Sequence, residues 1–235
     1  MEKLYILNTP FSYYGVEDAI HPVVLKDDAH MVLVDCGHIG QLPALEQAMQ
    51  AAGLSCGDLT HVFVTHQDHD HVGALYDLKQ KYPHVQVAAS REEAPYISGK
   101  RKSLRLEQAE ALQSTLPQEQ QAFGRAFCKL LESVLPVPVD IEAQDGDILP
   151  WCGGCVVVAT PGHTPGHVSL YVKRENTMIA GDAAALQNGM PVVANPEYAL
   201  NLSEAEASLR RLIESGAARI ICYHGGEYDL PKGTE

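Results

Sequence analysis

Thr65-His66-Gln67-Asp68-His69-Asp70-His71 crowds side chains with metal-binding or hydrogen-bonding power into seven positions. Upstream, Leu59-Thr60-His61-Val62-Phe63-Val64 is a short apolar, β-branched run that predicts a buried strand. Downstream, Val72, Leu75, Leu78 and Tyr82 recur at helical spacing until Pro83 stops the run. The seven residues therefore fill a strand-to-helix turn at the carboxyl end of a strand, where α/β proteins place ligand sites. In extended backbone His66 and Asp68 project to one side, and Asp70 and His71 follow as the helix begins, so four ligands can converge without long-range folding. Singly, each has a plainer reading: a histidine near a strand end is commonly just hydrogen-bonded, and an Asp at a helix start is commonly an N-cap. Together, with no Lys or Arg among them, the carboxylates ask for a cation.

The rest of the chain bounds what such a site can serve. At 235 residues it is long enough to bury a sizeable core, and 46% hydrophobic content is ordinary for a globular protein. A formal charge of -13 argues against a nucleic-acid partner. Met1-Glu2-Lys3-Leu4-Tyr5-Ile6 carries no apolar leader, and no run approaches the length that spans a bilayer, so a cytoplasmic protein without a membrane partner is expected.

Taken in order, strands and helices alternate. Strands are predicted at 4–7, 23–25 and 31–34, the last two hairpinned through Asp27-Asp28, with Asp35-Cys36-Gly37-His38 as a turn. A helix runs from about Pro43 to the Gly53 stop, and another strand covers 85–89. Residues 91–138 read as a helical insertion: Pro117 and Glu119 signal a helix start, and Phe123, Phe127, Leu130, Leu131 and Val134 lie along one face. That face can bury itself as a lid over the site, on the domain's own surface, or against a second copy in a homodimer. Lys100, Arg101, Lys102 and Arg105 form the one basic cluster, read first as a solvated face and second as an attractor for an anionic substrate.

Further strands are predicted at 156–159, 168–172 and 177–180, each beside a residue that could reach the metals. Thr160-Pro161-Gly162-His163-Thr164-Pro165-Gly166-His167 makes a rigid loop with His163 at its tip. Ser203 and Glu206 make a capping box for a helix ending at Gly216, and the strand 219–222 delivers Tyr223-His224. Trp151-Cys152-Gly153-Gly154-Cys155 has redox spacing, but strand follows it rather than a helix, so a hairpin turn is the better reading.

His66-x-Asp68-x-Asp70-His71, His163 in TPGHTPGH, Asp182 after a strand and His224 after the last strand together resemble the metallo-β-lactamase superfamily, from about Asp35 to His224. The resemblance implies an α/β fold of four layers, the αβ/βα sandwich, as a single domain over 1–235. It implies two divalent metal ions: His66, Asp68 and His163 on the first, Asp70, His71 and His224 on the second, and Asp182 bridging them. His69 and His167 have no ligand role in that pattern. Asp35 would be a buried carboxylate orienting the metal loop, with a turn-former as the alternative.

One position departs from the pattern, which usually has His where this chain has Asp68. A hard oxygen ligand there makes the first site less imidazole-rich; zinc stays first, with iron or manganese open. The implied chemistry is hydrolysis: two ions roughly 3.5–4 Å apart share a water, lower its pKa and give a bridging hydroxide, with Asp70 the catalytic group that orients it. A small ester, lactone, thioester or related molecule is the expected substrate. Quorum-signal lactonases of the family carry a Tyr where this chain has Ala185, glyoxalase II-like thioesterases need basic groups that only the 100–105 cluster offers, and Tyr223 could bring a phenol to the site. The rivals from other classes are a non-haem iron oxidoreductase on this scaffold and a non-catalytic module whose metals only hold the loops.

Overall fold

The computed structural model describes residues 3–13 and 16–231. The chain opens with strands β1 (Lys3–Ile6), β2 (Thr9–Tyr13), β3 (Val16–Ile20), β4 (Val23–Lys26) and β5 (Met31–Val34), then α1 (Leu42–Ala51) and β6 (His61–Val64). After the 65–71 turn come α2 (His69–Val72), α3 (Leu75–Lys81) and β7 (Gln86–Ser90), followed by α4 (Ala94–Ile97), α5 (Leu104–Gln113) and α6 (Gln121–Glu132) of the insertion. The second half holds β8 (Ile141–Ala143), β9 (Ile148–Leu149), β10 (Cys155–Ala159), β11 (Val168–Val172) and β12 (Thr177–Ile179). It ends with the hairpin β13 (Ala185–Gln187) and β14 (Met190–Val192), α7 (Leu202–Ile213), β15 (Arg219–Cys222) and β16 (Gly226–Asp229). No helix among the described residues is long and apolar enough to cross a membrane.

Two mixed six-stranded sheets result, in the orders β1-β4-β5-β6-β7-β8 and β16-β15-β12-β11-β10-β9. Strand side chains alternate between faces, and here both faces are apolar, so each sheet must be covered twice. Met31 and Leu33 of β5 pack outward with Leu45 and Met49 of α1 and Leu75 and Leu78 of α3. Val32 and Val34 point the other way, into a cluster shared with Val157, Leu170, Ile179 and Ile221 of the second sheet. The outer face of that sheet, Met178 and Ile220, meets Leu212 of α7. Helices, sheet, sheet and helix are the four layers predicted.

Several details differ from the sequence expectation. The helix expected from Val72 to Tyr82 breaks into α2 and α3 at Gly73-Ala74. Gly73 rests on the 38–39 backbone, where a Cβ would lie 2.3 Å from the Ile39 nitrogen, and Ala74 N donates to Gly37 O at 3.2 Å. α7 is capped by Asn201, whose side chain accepts from Glu204 N at 3.3 Å, rather than by Ser203. Asn201 N is tied to Gly162 O at 2.9 Å, and this contact with the 160–167 loop starts the helix early. The insertion is helical as predicted, although α6 begins a turn beyond Pro117, whose carbonyl accepts from Gln120 N and Gln121 N. The hairpins β2–β3 and β13–β14 and the strands β8 and β16 lie outside the predicted strands. Cys152-Gly153-Gly154 is the turn between β9 and β10, all three with positive φ, and both cysteines are buried.

Candidate metal centre

All seven predicted ligands lie at one edge of the sandwich. His66 and Asp68 occupy the turn after β6, Asp70 and His71 sit in α2, His163 in the loop from β10 to β11, Asp182 just after β12, and His224 between β15 and β16. Parallel pairing of β5 with β6 and of β12 with β15 brings these strand ends to the same side. Two groups of side chains are each close enough to share an ion, the first His66, Asp68 and His163 and the second Asp70, His71 and His224, and a further set, His66, His71 and Asp182, links them. No group is built from the 65–71 motif alone. The expectation that four ligands converge locally is therefore corrected: α2 turns Asp70 and His71 toward His224 while Asp68 faces His163.

The second group has the spacing an ion requires. Asp70 Oδ2 lies 3.2 Å from His224 Nε2 and 3.8 Å from His71 Nε2, and Asp182 Oδ1 lies 3.2 Å from His71 Nε2 and 3.5 Å from His224 Nε2. Tetrahedral ligands at about 2.0–2.1 Å from a zinc ion stand about 3.3–3.4 Å apart. His71 Nε2, His224 Nε2, Asp182 Oδ1 and His66 Nε2 are buried atoms with no hydrogen-bond partner. Buried polar atoms are rarely left that way, and four converging lone pairs fit a cation.

Hydrogen bonds behind the ligands fix their tautomers. Asp35, buried at positive φ, accepts from Thr65 N at 2.9 Å, from Thr65 Oγ1 at 2.8 Å and from His71 Nδ1 at 2.9 Å. A proton on His71 Nδ1 leaves its Nε2 lone pair facing the site. His66 Nδ1, 3.1 Å from the Thr65 hydroxyl, is held the same way. Asp35 is thus the orienting carboxylate. His167, buried, accepts from Asp182 N at 2.9 Å, and Tyr223 donates to the Asp70 carbonyl at 2.7 Å. The Tyr223 phenol is therefore spent inward. Glu93, absent from the sequence reading, accepts from Gln67 N, Gln67 Nε2, Thr164 Oγ1 and Gly166 N and so ties the two ligand loops together. It stands in the polar run Arg91-Glu92-Glu93, which has no local mark of burial; burial pushes its carboxyl up to about 7.

Charge in the second group is mutual. Burial alone would lower the His71 imidazolium, but Asp35, Asp182 and Asp70 outweigh it and hold it well above the usual range. Asp182 and Asp70 likewise raise His224 against the effect of its burial.

The first group contains a surprise for the sequence reading. Arg105, placed there with a solvated basic cluster, is only 2% exposed, while Lys100, Arg101 and Lys102 are exposed as expected. Its guanidinium donates to Asp68 Oδ2 from Nε at 2.9 Å and from Nη2 at 2.6 Å. Burial would raise the Asp68 carboxyl, but Arg105, with His163 and His66, holds it well below the carboxylate range. The premise that nothing basic neutralises the motif's carboxylates fails here, because the partner comes from α5, 37 residues away.

A pocket of about 270 Å³ opens onto both groups, lined by Asp68, Asp70, Arg105, His163, Asp182 and His224 and walled by Phe11, Phe123, Phe127 and Tyr198. Phe123 and Phe127 come from α6, so the insertion's apolar face is partly a wall of the site.

Helix-flanked sheets meeting at an edge of imidazoles and carboxylates define the class, an αβ/βα sandwich with a candidate metal site at the sheet edge. The profile of the metallo-beta-lactamase superfamily matches residues 16–224, and the chain belongs to that superfamily. It is similar to YobT of Bacillus subtilis (strain 168), 28% identical over 88% of this chain and 84% of that one. The probable metallo-hydrolase YflN of the same organism is 27% identical over 70% of this chain and 60% of its own length. Among solved structures, a metallo-beta-lactamase family protein from Thermus thermophilus superposes with a TM-score of 0.74 at 26% identity, over 97% of this chain and 75% of that one.

Proposed function

We propose that the chain is a dinuclear metal-dependent hydrolase of a small, largely apolar ester, lactone or thioester. The observation that carries it is the pair of ligand groups joined through His66, His71 and Asp182 at the floor of an aromatic-walled pocket. Divalent ions there, zinc first, supply Lewis acidity and bring a bound water's pKa to near neutrality. His66, Asp68 and His163 would hold one ion and Asp70, His71 and His224 the other, with Asp182 close to His71, His224 and His163. Asp70 would orient the attacking water, its Oδ2 facing the imidazoles of His71 and His224 and its Oδ1 lying 3.6 Å from His69 Nδ1.

Substrate size and polarity follow from the walls. A pocket near 270 Å³ suits a small molecule, and four aromatic side chains favour an apolar acyl or alkyl part. Arg105 is the one Lys or Arg of the lining, and its N–H groups are committed to Asp68, His163, Gln108 and the Tyr198 carbonyl. An anionic group on the substrate would find no free guanidinium. His38 lines the pocket with Nε2 buried and unpartnered, and burial lowers its imidazole to about 4, so it is a neutral group able to hydrogen-bond the substrate.

The test is turnover of an ester, lactone and thioester panel by zinc-loaded protein, by the chelated protein and by Asp70→Asn. Hydrolysis that chelator abolishes and Asp70→Asn reduces roughly 100- to 10,000-fold is expected. Zinc-loaded protein inert across the panel, or Asp70→Asn as active as the parent, would sink the proposal.

A further inference from the structure

The two ligand groups are not equally open. In the second, the lone pairs of His71, His224 and Asp182 have no partner, and among the described residues no Lys or Arg pairs with Asp70 or Asp182. In the first, a cation is already present. Arg105 Nε and Nη2 share Asp68 Oδ2, and Nη2 also lies 3.2 Å from His163 Nε2. That same His163 nitrogen is 3.1 Å from Asp68 Oδ2. An imidazole nitrogen has one in-plane position. Whether it accepts from the guanidinium or donates to the carboxylate, the position an ion would need is taken.

The guanidinium is also firmly seated. Its remaining N–H groups donate to Gln108 Oε1 and the Tyr198 carbonyl, and its carbon lies 5.6 Å from the Tyr198 ring centroid. The start of α5 is pinned to the motif itself, since Leu104 N donates to Gln67 Oε1 at 2.9 Å and Ser103 caps the helix. Arg105 is thus held where it neutralises Asp68, the carboxylate that stands in place of the superfamily's usual imidazole. Like charge adjoins the first ion position, where His163 Nε2 and Asp68 Oδ2 are engaged and only His66 Nε2 and Asp68 Oδ1 have no partner.

Building on the metal-site reading above, we propose that Arg105 makes the two sites unequal. One ion is retained at Asp70, His71, Asp182 and His224; the other enters at His66, Asp68 and His163 only as the guanidinium withdraws. Arg105 is a positioning residue: it sets occupancy of the first site through Asp68 and His163. Its removal opens the first site rather than disabling it.

Zinc titration followed by native mass spectrometry and elemental analysis tests this without any activity assay. The parent should keep one equivalent through gel filtration and bind the second weakly. Arg105→Met should keep two, its second ion bound roughly 10–100-fold tighter than in the parent. Because Arg105→Met leaves buried Asp68 without its guanidinium partner, the double variant Asp68→His with Arg105→Met, which carries neither the carboxylate nor the guanidinium, provides a second arm; it too should keep two. Both variants remaining at one equivalent would overturn the proposal. So would a parent that binds two ions with equal affinity, a result that leaves the dinuclear hydrolase intact. Retention of no ion by any of the three proteins would instead remove the metal-site reading itself.

Discussion

Asp35 carries three donors on one buried carboxylate, and two of them belong to the backbone and hydroxyl of Thr65 beside the first ligand. Its effect on the ions is indirect, through the orientation of His71 and the basicity of its Nε2. Asp35→Asn, which tolerates the same left-handed backbone, is expected to weaken zinc binding roughly 10–100-fold, read by competition with a chromophoric chelator. Unchanged affinity would mean that the loop is held by other contacts. His71 and His224 make a second expectation. Both are raised above their ordinary value of 6.5, yet a metal ligand must be neutral, so zinc has to displace their protons. Adding zinc near pH 7 in weak buffer should release protons, and affinity should rise with pH. The sign for stability in chelator is the reverse. Folded imidazoles with raised pKa contribute stability that is complete below pH 6.5 and is lost as pH rises through their folded values. Thermal scans with chelator should therefore fall above neutrality, while zinc-loaded scans should not.

At the level of elements, the 160–167 loop shows how a ligand is aimed by packing. Gly162 has φ +126°, and a Cβ there would stand 2.1 Å from the Ala205 nitrogen at the start of α7. Gly162→Ala is expected to cost about 3 kcal/mol in urea unfolding, from overpacking against backbone combined with a strained φ. It should also weaken zinc binding, because His163 is the next residue. α6 contributes in a different way, presenting Phe123 and Phe127 to the pocket and leaving Phe123 42% exposed. For a substrate with an apolar acyl chain, Phe127→Ala should raise KM roughly tenfold with little change in kcat, since a wall binds ground and transition states alike. A selective fall in kcat would instead assign α6 to the chemistry. The helical insertion was legible from its apolar spacing. Its role as a wall was not, because the direction in which α6 docks depends on α4, α5 and the residues they reach.

For the whole molecule, one apolar cluster joins Val32, Val34 and Phe63 of the first sheet to Val157, Leu170 and Ile221 of the second. Neither half can keep its inner face dry alone. We expect the single domain of the sequence reading to unfold in one cooperative transition, the same by fluorescence and circular dichroism, and to shift to lower temperature when zinc is chelated. Two separated transitions would contradict that. By itself the sequence determined the central strands of both sheets, whose β-branched runs form where both faces are buried, though not β2, β3, β8, β13, β14 or β16, and it named seven side chains that meet at one sheet edge. It also marked Asp68 as unusual. Tertiary structure alone decided that Glu93 joins two loops and that Arg105 answers Asp68. These are contacts between segments far apart in the chain, and whether a charged side chain is solvated or buried against a distant partner is decided by packing, which leaves no local pattern to read.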